Sequence, residues 1–252
     1  MAQRNYGYSR SAWGRGGGTP FAVKWLLISN VAIYLLFALT TRFGGDGFFS
    51  HFALVPGMVI GFPAPWQLAT YMFLHDPGGI GHILFNMLSL WMFGCDLERD
   101  WGSKKFLQYY FLCGIGAGIS VVIASMLFGG MNVPTIGASG AIYGILMAYG
   151  VLYPDRILLM NFLFPIKAKY FVMIVGAIAF MQSILASGSG VSHVAHLGGL
   201  IFGFLYLRSK MLKGRDPLAF ATAWYRNWKI ERNRKKFQVY MRKQNGPDRW
   251  IH

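Results

Sequence analysis

The sequence is short of charge. Only 13% of its 252 residues are Asp, Glu, Lys or Arg, and just nine of those are acids. Soluble domains carry about twice that share, so an ordinary water-soluble globule is excluded. Cysteine is scarce as well: Cys95 and Cys113 both sit in apolar helical stretches, forming neither a CxxC pair nor a disulfide framework, and packing is their expected role. There is no HExxH pattern, no internal repeat and no low-complexity tract beyond the first twenty residues. That opening stretch holds no acid, and its Gly16 to Gly18 run is poor material for an amphipathic helix. It reads as a short cytoplasmic arm without the apolar core of a removable leader.

What is present is apolar surface. Hydrophobic residues make up 54% of the chain and aromatics 17%. Stretches of bilayer-spanning length run over about 24–41, 79–95, 105–128, 168–186 and 191–208. A sixth, 139–152, is shorter. At about 1.5 Å per residue it covers only some 21 Å of a hydrocarbon core about 30 Å thick. The pattern predicts an all-α polytopic membrane protein of six transmembrane helices with a short central fourth. Asp155 and Arg156 place the far end of that fourth helix at a water interface, so its start, at Ser139, lies below the opposite surface. A helix can begin at that depth only where protein or a water-filled cavity surrounds it.

The net charge of +15 invites a nucleic-acid reading, but the placement of charge argues against one. Thirteen of the 24 Lys and Arg fall between Arg208 and Arg249, beyond the last apolar stretch. Such a tail is expected to meet anionic lipid headgroups or water. Arg4, Arg10, Arg15 and Lys24 precede the first span, Arg99, Lys104 and Lys105 follow the second, and Arg156, Lys167 and Lys169 follow the fourth. The other side carries Arg42 with Asp46 and Asp76. By the positive-inside rule both termini are cytoplasmic and Ser139 opens toward the outer face. Three regions result: an arm over 1–23, a six-helix membrane domain over 24–208, and a basic cytoplasmic tail over 209–252. Within the second, 43–78 is too long and too apolar for a solvated linker. Its Phe48, Phe49, Phe52, Pro56, Phe62, Pro65, Trp66 and Tyr71 suit an outer loop lying partly among headgroups.

Polar groups inside such a chain are costly unless they act. Ser139 opens a helix between Gly137 and Gly140, where free N-terminal amides can meet negative charge and a bare backbone allows close approach. His196 lies in the last span on a ladder of Ala195, Gly199 and Gly203. The short helix has a matching ladder, Gly140, Gly144 and Ala148, and two such stripes let helices pack closely in lipid. That packing would carry His196 to hydrogen-bond reach of Ser139, the geometry of a general base and its nucleophile. Low dielectric favours the neutral imidazole that a base must be. Tyr143, one turn after Ser139, is placed to stack on that ring. No carboxylate is positioned to complete a triad, so a Ser-His dyad is expected. His82 and Asn86, one turn apart in GHILFN, can both donate to a developing oxyanion beside the Ser139 amide. A packing serine, a packing histidine and a polar helix-linking pair remain the bland readings of each alone. A zinc site built from His75, His82, His193 and His196 with Asp76 lacks any metal-binding spacing. A transporter would need paired halves and ionisable groups along a path.

Taken together, ALVPG (Ala53 to Gly57), PWQLAT with FLH (Pro65 to His75), HILFNM (His82 to Met87), GASGAIYG (Gly137 to Gly144) and AHLGGLIFG (Ala195 to Gly203) resemble the rhomboid intramembrane serine proteases. The resemblance covers about 52–208. It implies a six-helix bundle with Ser139 as nucleophile and His196 as base and then acid. Gly137 lies beside the oxyanion, His82 and Asn86 assist there, and Tyr143 supports the histidine. Substrates would be single-pass membrane proteins cut near the outer-leaflet end of their helix, with no cofactor or metal. A bacterial inner membrane is the expected home, and a non-cleaving escort protein of the same fold is the alternative. Two departures stand out. Gln67 occupies a place where the family often has Arg, and DPGGIG between His75 and His82 leaves His75 outside the expected site.

Overall fold

A computed structural model describes residues 18–44, 46–160, 164–185 and 190–212, together with position 232. The arm expected over 1–23 and the tail expected over 209–252 fall mostly outside the described residues. The chain forms two compact units, Met1–Tyr206 and Leu207–His252.

Among the described residues the order is α1 (Phe21–Arg42), α2 (Asp46–Ser50), α3 (Pro56–Ile60), α4 (Gln67–Thr70) with a 3-10 turn at Tyr71–Phe73, α5 (Ile80–Trp101), α6 (Ser103–Phe128), α7 (Ser139–Leu152), strands β1 (Ile157–Met160) and β2 (Phe164–Lys167), α8 (Ala168–Leu185) and α9 (Gly190–Leu212). Four of these helices, α1, α5, α6 and α8, are long and apolar enough to cross a membrane, and α7 is an apolar helix of 14 residues. Leu35, Leu36 and Leu39 of α1, Leu84 and Phe85 of α5, and Met173 and Ile184 of α8 are exposed, an arrangement that only a lipid surround makes favourable.

The purely helical expectation needs correcting. β1 and β2 pair antiparallel, Ile157 opposite Lys167 and Met160 opposite Phe164. Both strands of a two-stranded sheet are edges, so Pro165 costs no central ladder bond. Asp155 closes the hairpin base, accepting from Lys167 Nζ and Lys169 Nζ at 3.1 Å each. Those two ammonium groups hold its carboxyl below the usual range. The expected end of the second span near residue 95 is also short of the observed one. The apolar run stops at Asp96, yet α5 continues to Trp101 and breaks at Gly102, whose φ of +78° suits glycine.

That polar extension has a structural use. Glu98 is buried, and its carboxylate accepts from the Ala22 and Val23 amides at 2.8 Å each and from Ser103 Oγ at 2.6 Å. The first amides of a helix lack intrahelical partners and carry partial positive charge. Pro20 at the α1 N-cap offers no side-chain cap, so Glu98 supplies one from 76 residues away. The carboxylate thereby fastens the starts of α1 and α6 to the end of α5.

The outer connection folds on itself. Gln67 is fully buried; its Nε2 donates to the His51 carbonyl at 3.1 Å, and its Oε1 accepts from the Val55 amide at 3.0 Å. Gln67 is thus an internal stitch. Thr70 Oγ1 adds a bond to the Phe52 carbonyl at 2.8 Å. The aromatic set of 43–78 divides: Phe48, Phe62 and Trp66 face outward, whereas Phe49 and Tyr71 are buried. Tyr71 Oη donates to the Gly114 carbonyl at 2.7 Å.

Backbones approach closely where α7 meets α6 and α9. A Cβ on Gly140 would sit 2.6 Å from Ala117 Cβ, one on Gly203 would sit 3.1 Å from Gly144 Cα, and one on Gly199 would run into the Gly140 carbonyl. Tyr109 Oη of α6 also donates to the Gly144 carbonyl at 2.6 Å. Gly199→Ala is therefore expected to cost about 2 kcal/mol or more through overpacking, read as a lowered thermal unfolding midpoint in detergent; an unchanged midpoint would contradict the contact. Glu98→Ala should lose about 3 kcal/mol, because two buried helix amides then lack an acceptor. Glu98→Gln, which keeps an acceptor, should fall between that variant and the parent in the same measurement.

Candidate active site

Ser139 begins α7, and the segment leading to it is fastened to the outer connection. Leu54 and Thr135 exchange backbone bonds, at 3.0 Å from the Leu54 amide and 2.8 Å from the Thr135 amide. The Gly57 amide donates to the Met131 carbonyl at 2.7 Å, and the Gly137 amide to the Tyr71 carbonyl at 2.9 Å. Gly137 itself has φ +120°, a conformation that side chains rarely adopt. The backbone turns there, and α7 starts immediately after. Ala138, at the N-cap, provides no side-chain cap, so the first amides of α7 remain available to an acceptor.

His196 of α9 reaches Ser139 across 57 positions of sequence, with Nε2 2.8 Å from Oγ. In the tautomer a general base requires, the hydroxyl donates and Nε2 accepts. The Tyr143 ring lies flat on the imidazole, with centroids 4.2 Å apart and planes 3° from parallel. One face of the histidine is therefore fixed by a neighbour on the same helix as the serine. His193 meets the same imidazole edge-on, with centroids 5.8 Å apart, and does not stack on it. His196 Nδ1 is buried without a hydrogen-bond partner. Among the described residues the arrangement is a pair with no third, orienting carboxylate.

On the other side of Gly137 stand His82 and Asn86 of α5. A Cβ on Gly137 would lie 3.0 Å from His82 Nε2 and 3.9 Å from Asn86 Nδ2. Both nitrogens thus face the backbone just before Ser139, beside the free amides of α7. Donors of two kinds, side-chain and main-chain, converge on one region. Every residue expected from the sequence, Ser139, His196, His82, Asn86, Gly137 and Tyr143, falls in this one place.

Sequence reasoning left out one neighbour, His75. It is fully buried, its Nε2 is 2.9 Å from Asn86 Nδ2, and its ring meets that of His82 at 5.2 Å. The DPGG stretch that seemed to separate it instead forms a turn, in which Asp76 Oδ1 accepts from the Gly78 amide at 2.8 Å. That turn absorbs the extra residues and returns the chain to α5. The signal was legible as an Asp two residues before a Gly, directly after FLH. Tyr71, read as an interfacial aromatic, is the other omission, since its carbonyl anchors Gly137.

The Rhomboid domain model matches residues 63–211. The chain is similar to "Rhomboid protease GluP" of Bacillus subtilis (strain 168), 39% identical over 139 residues, covering 55% of this chain and 25% of that protein. It is similar to "Putative rhomboid protease YdcA" of the same organism, 36% identical over 140 residues, with 56% of this chain and 64% of that one covered. "Rhomboid protease AarA" of Providencia stuartii is 34% identical over 155 residues, covering 56% of this chain and 54% of AarA. The chain thus spans less than two thirds of each of these relatives. More than half of its own length matches the family model, stretching from the outer connection through both halves of the Ser139–His196 pair: the chain belongs to the rhomboid family.

Proposed function

We propose that this chain is an intramembrane serine endopeptidase that cuts single-pass membrane proteins near the outer-leaflet end of their helix. The observation that carries the reading is the 2.8 Å contact between Ser139 Oγ and His196 Nε2, made at the start of a helix too short to span the bilayer. The names of the relatives GluP and AarA support the protease class. The membrane domain is read as six spans over 24–208, with α7 as the short fourth and α9 as the last. Both termini face the cytoplasm, with the 1–23 arm and the basic 209–252 tail on that side. The excess of Lys and Arg in the connections on one face supports this orientation. The two Bacillus relatives favour a bacterial cell membrane, and the twelve Lys and Arg of 209–252 support contact of the tail with anionic headgroups.

In the proposed reaction Ser139 Oγ attacks the scissile carbonyl carbon while His196 Nε2 takes its proton. The carbonyl oxygen becomes an oxyanion. The first amides of α7, Asn86 Nδ2 and His82 receive it, and their dipoles are already aimed when charge develops. His196 then gives the proton to the leaving amine, which departs and leaves an acyl-serine. Water, deprotonated by the same imidazole, releases the acid and restores the serine. Tyr143 keeps the ring in one plane through both transfers. No cofactor enters these steps, and the proposal uses no metal.

The test is labelling of purified protein by a fluorophosphonate, together with cleavage of a fluorogenic single-span peptide in proteoliposomes. Ser139→Ala and His196→Ala are each expected to abolish both signals while the protein stays folded. Labelling that survives Ser139→Ala would remove the nucleophile assignment. A folded wild type that never labels would favour the escort reading. Asn86→Ala should reduce the cleavage rate by about 10²-fold as one oxyanion donor is lost, and an unchanged rate would make Asn86 structural. His193→Ala should cost far less than His196→Ala, and equal losses would mean that the two histidines act as a unit.

A further inference from the structure

We infer that His75 is a positioning residue, holding the Asn86 carboxamide with its nitrogen toward the oxyanion region. This rests on the reading of Asn86 as an oxyanion donor and adds what makes that donor point the right way. An asparagine side chain ends in two nearly identical shapes, a donor NH2 and an acceptor oxygen. Only one of its two orientations can stabilise negative charge, and something must select it.

The selection comes from the imidazole behind it. Asn86 Nδ2 lies 2.9 Å from His75 Nε2. A carboxamide nitrogen can only donate, so Nε2 must accept, which fixes His75 as a neutral ring with its proton on Nδ1. One Nδ2 hydrogen is spent on this bond. The second remains, and Nδ2 faces the Gly137 backbone, 3.9 Å from where a Cβ would stand. Turned over against the same His75 tautomer, the carboxamide would set Oδ1 against Nε2, two acceptors with no proton between them, and would carry the spare donor away from Ser139. Both residues are buried, His75 completely and Asn86 to 7% exposure, so water cannot readily repair that mismatch.

The ring has little freedom to change its answer. Its edge meets His82 at 5.2 Å with planes 63° apart, so a single imidazole backs both side-chain donors. Nδ1 is buried without a hydrogen-bond partner among the described residues. Buried Leu74 precedes the ring and the Asp76 turn follows it, which fixes the backbone on both sides. His75 acts through Asn86 and has no part in proton transfer.

The deciding experiment measures fluorophosphonate labelling of the full chain, separating maximal rate from half-saturating concentration, in wild type, His75→Ala, His75→Gln, Asn86→Ala and the His75→Ala/Asn86→Ala double variant. His75→Ala is expected to lower the maximal rate roughly tenfold, the scale of a misaligned catalytic group, with half-saturation unchanged. In the Asn86→Ala background the same change should cost nothing further, because the group it positions is gone. His75→Gln should recover most of the rate, since its carboxamide oxygen can accept from Asn86. Additive losses in the double variant would overturn the proposal and leave His75 as packing. So would a wild-type rate in His75→Ala while Asn86→Ala is slow. If Asn86→Ala labels normally, the oxyanion reading has failed and the proposal falls with it. Should the wild type fail to label at all, nitrogen NMR of 15N-histidine-labelled protein decides independently. An unprotonated Nε2 on His75 supports the positioning bond, and a protonated one overturns it.

Discussion

The contact on which the rest depends is the approach of two backbones, the Gly140 carbonyl of α7 against Gly199 of α9. No side chain larger than hydrogen fits at Gly199. In lipid, helices gain little from excluding apolar surface from a solvent as apolar as themselves, so close van der Waals packing must hold them together. The glycine ladder provides it, and the reach of a histidine side chain then matches the gap to Ser139. Widening that gap by one methyl would stretch the 2.8 Å Ser139–His196 contact past hydrogen-bond range.

Polar side chains elsewhere do structural work of a kind that an apolar chain cannot avoid. Each helix start and each irregular connection leaves backbone groups that lipid will not satisfy. Glu98 answers for the starts of α1 and α6, Gln67 for the turn around Val55, and Tyr109 for the Gly144 carbonyl. At the other end of the bundle Asp96 gathers Arg156 at 2.9 Å and Tyr149 Oη at 3.1 Å, so the end of α5, the end of α7 and the hairpin start share one charge cluster. The active-site end has the opposite character. There His75 meets His82, His193 meets His196 and Tyr143 stacks on His196, so ring contacts hold these side chains.

Much of this was legible in the residues. The Gly137–Gly140 stretch, the histidine three residues ahead of Gly199 and the one-turn spacing of His82 and Asn86 marked the site, because helical period fixes which side chains share a face. The short length of 139–152 marked α7 as the odd helix. Gln67 stood out only as a departure from a family arginine; its burial and its bonds to Val55 and His51 show an internal stitch, which composition could not tell from a surface position. The β1–β2 hairpin went unread because an apolar run near a helix start has no period of its own over four residues. The extension of α5 to Trp101 was hidden by charge, which ends an apolar run without ending a helix.

The sequence by itself determined where the long apolar helices form, that 139–152 is the short one, and which polar side chains they carry. These follow from local rules of period, capping and hydropathy that act within a few residues. Only the tertiary structure decided that His196 meets Ser139 from 57 positions away, that His75 backs Asn86 through a turn that looked like an interruption, and that Glu98 caps a helix on the far side of the sequence. Those distances depend on how small-residue faces and buried polar groups choose their partners. That choice is made by packing all the helices at once.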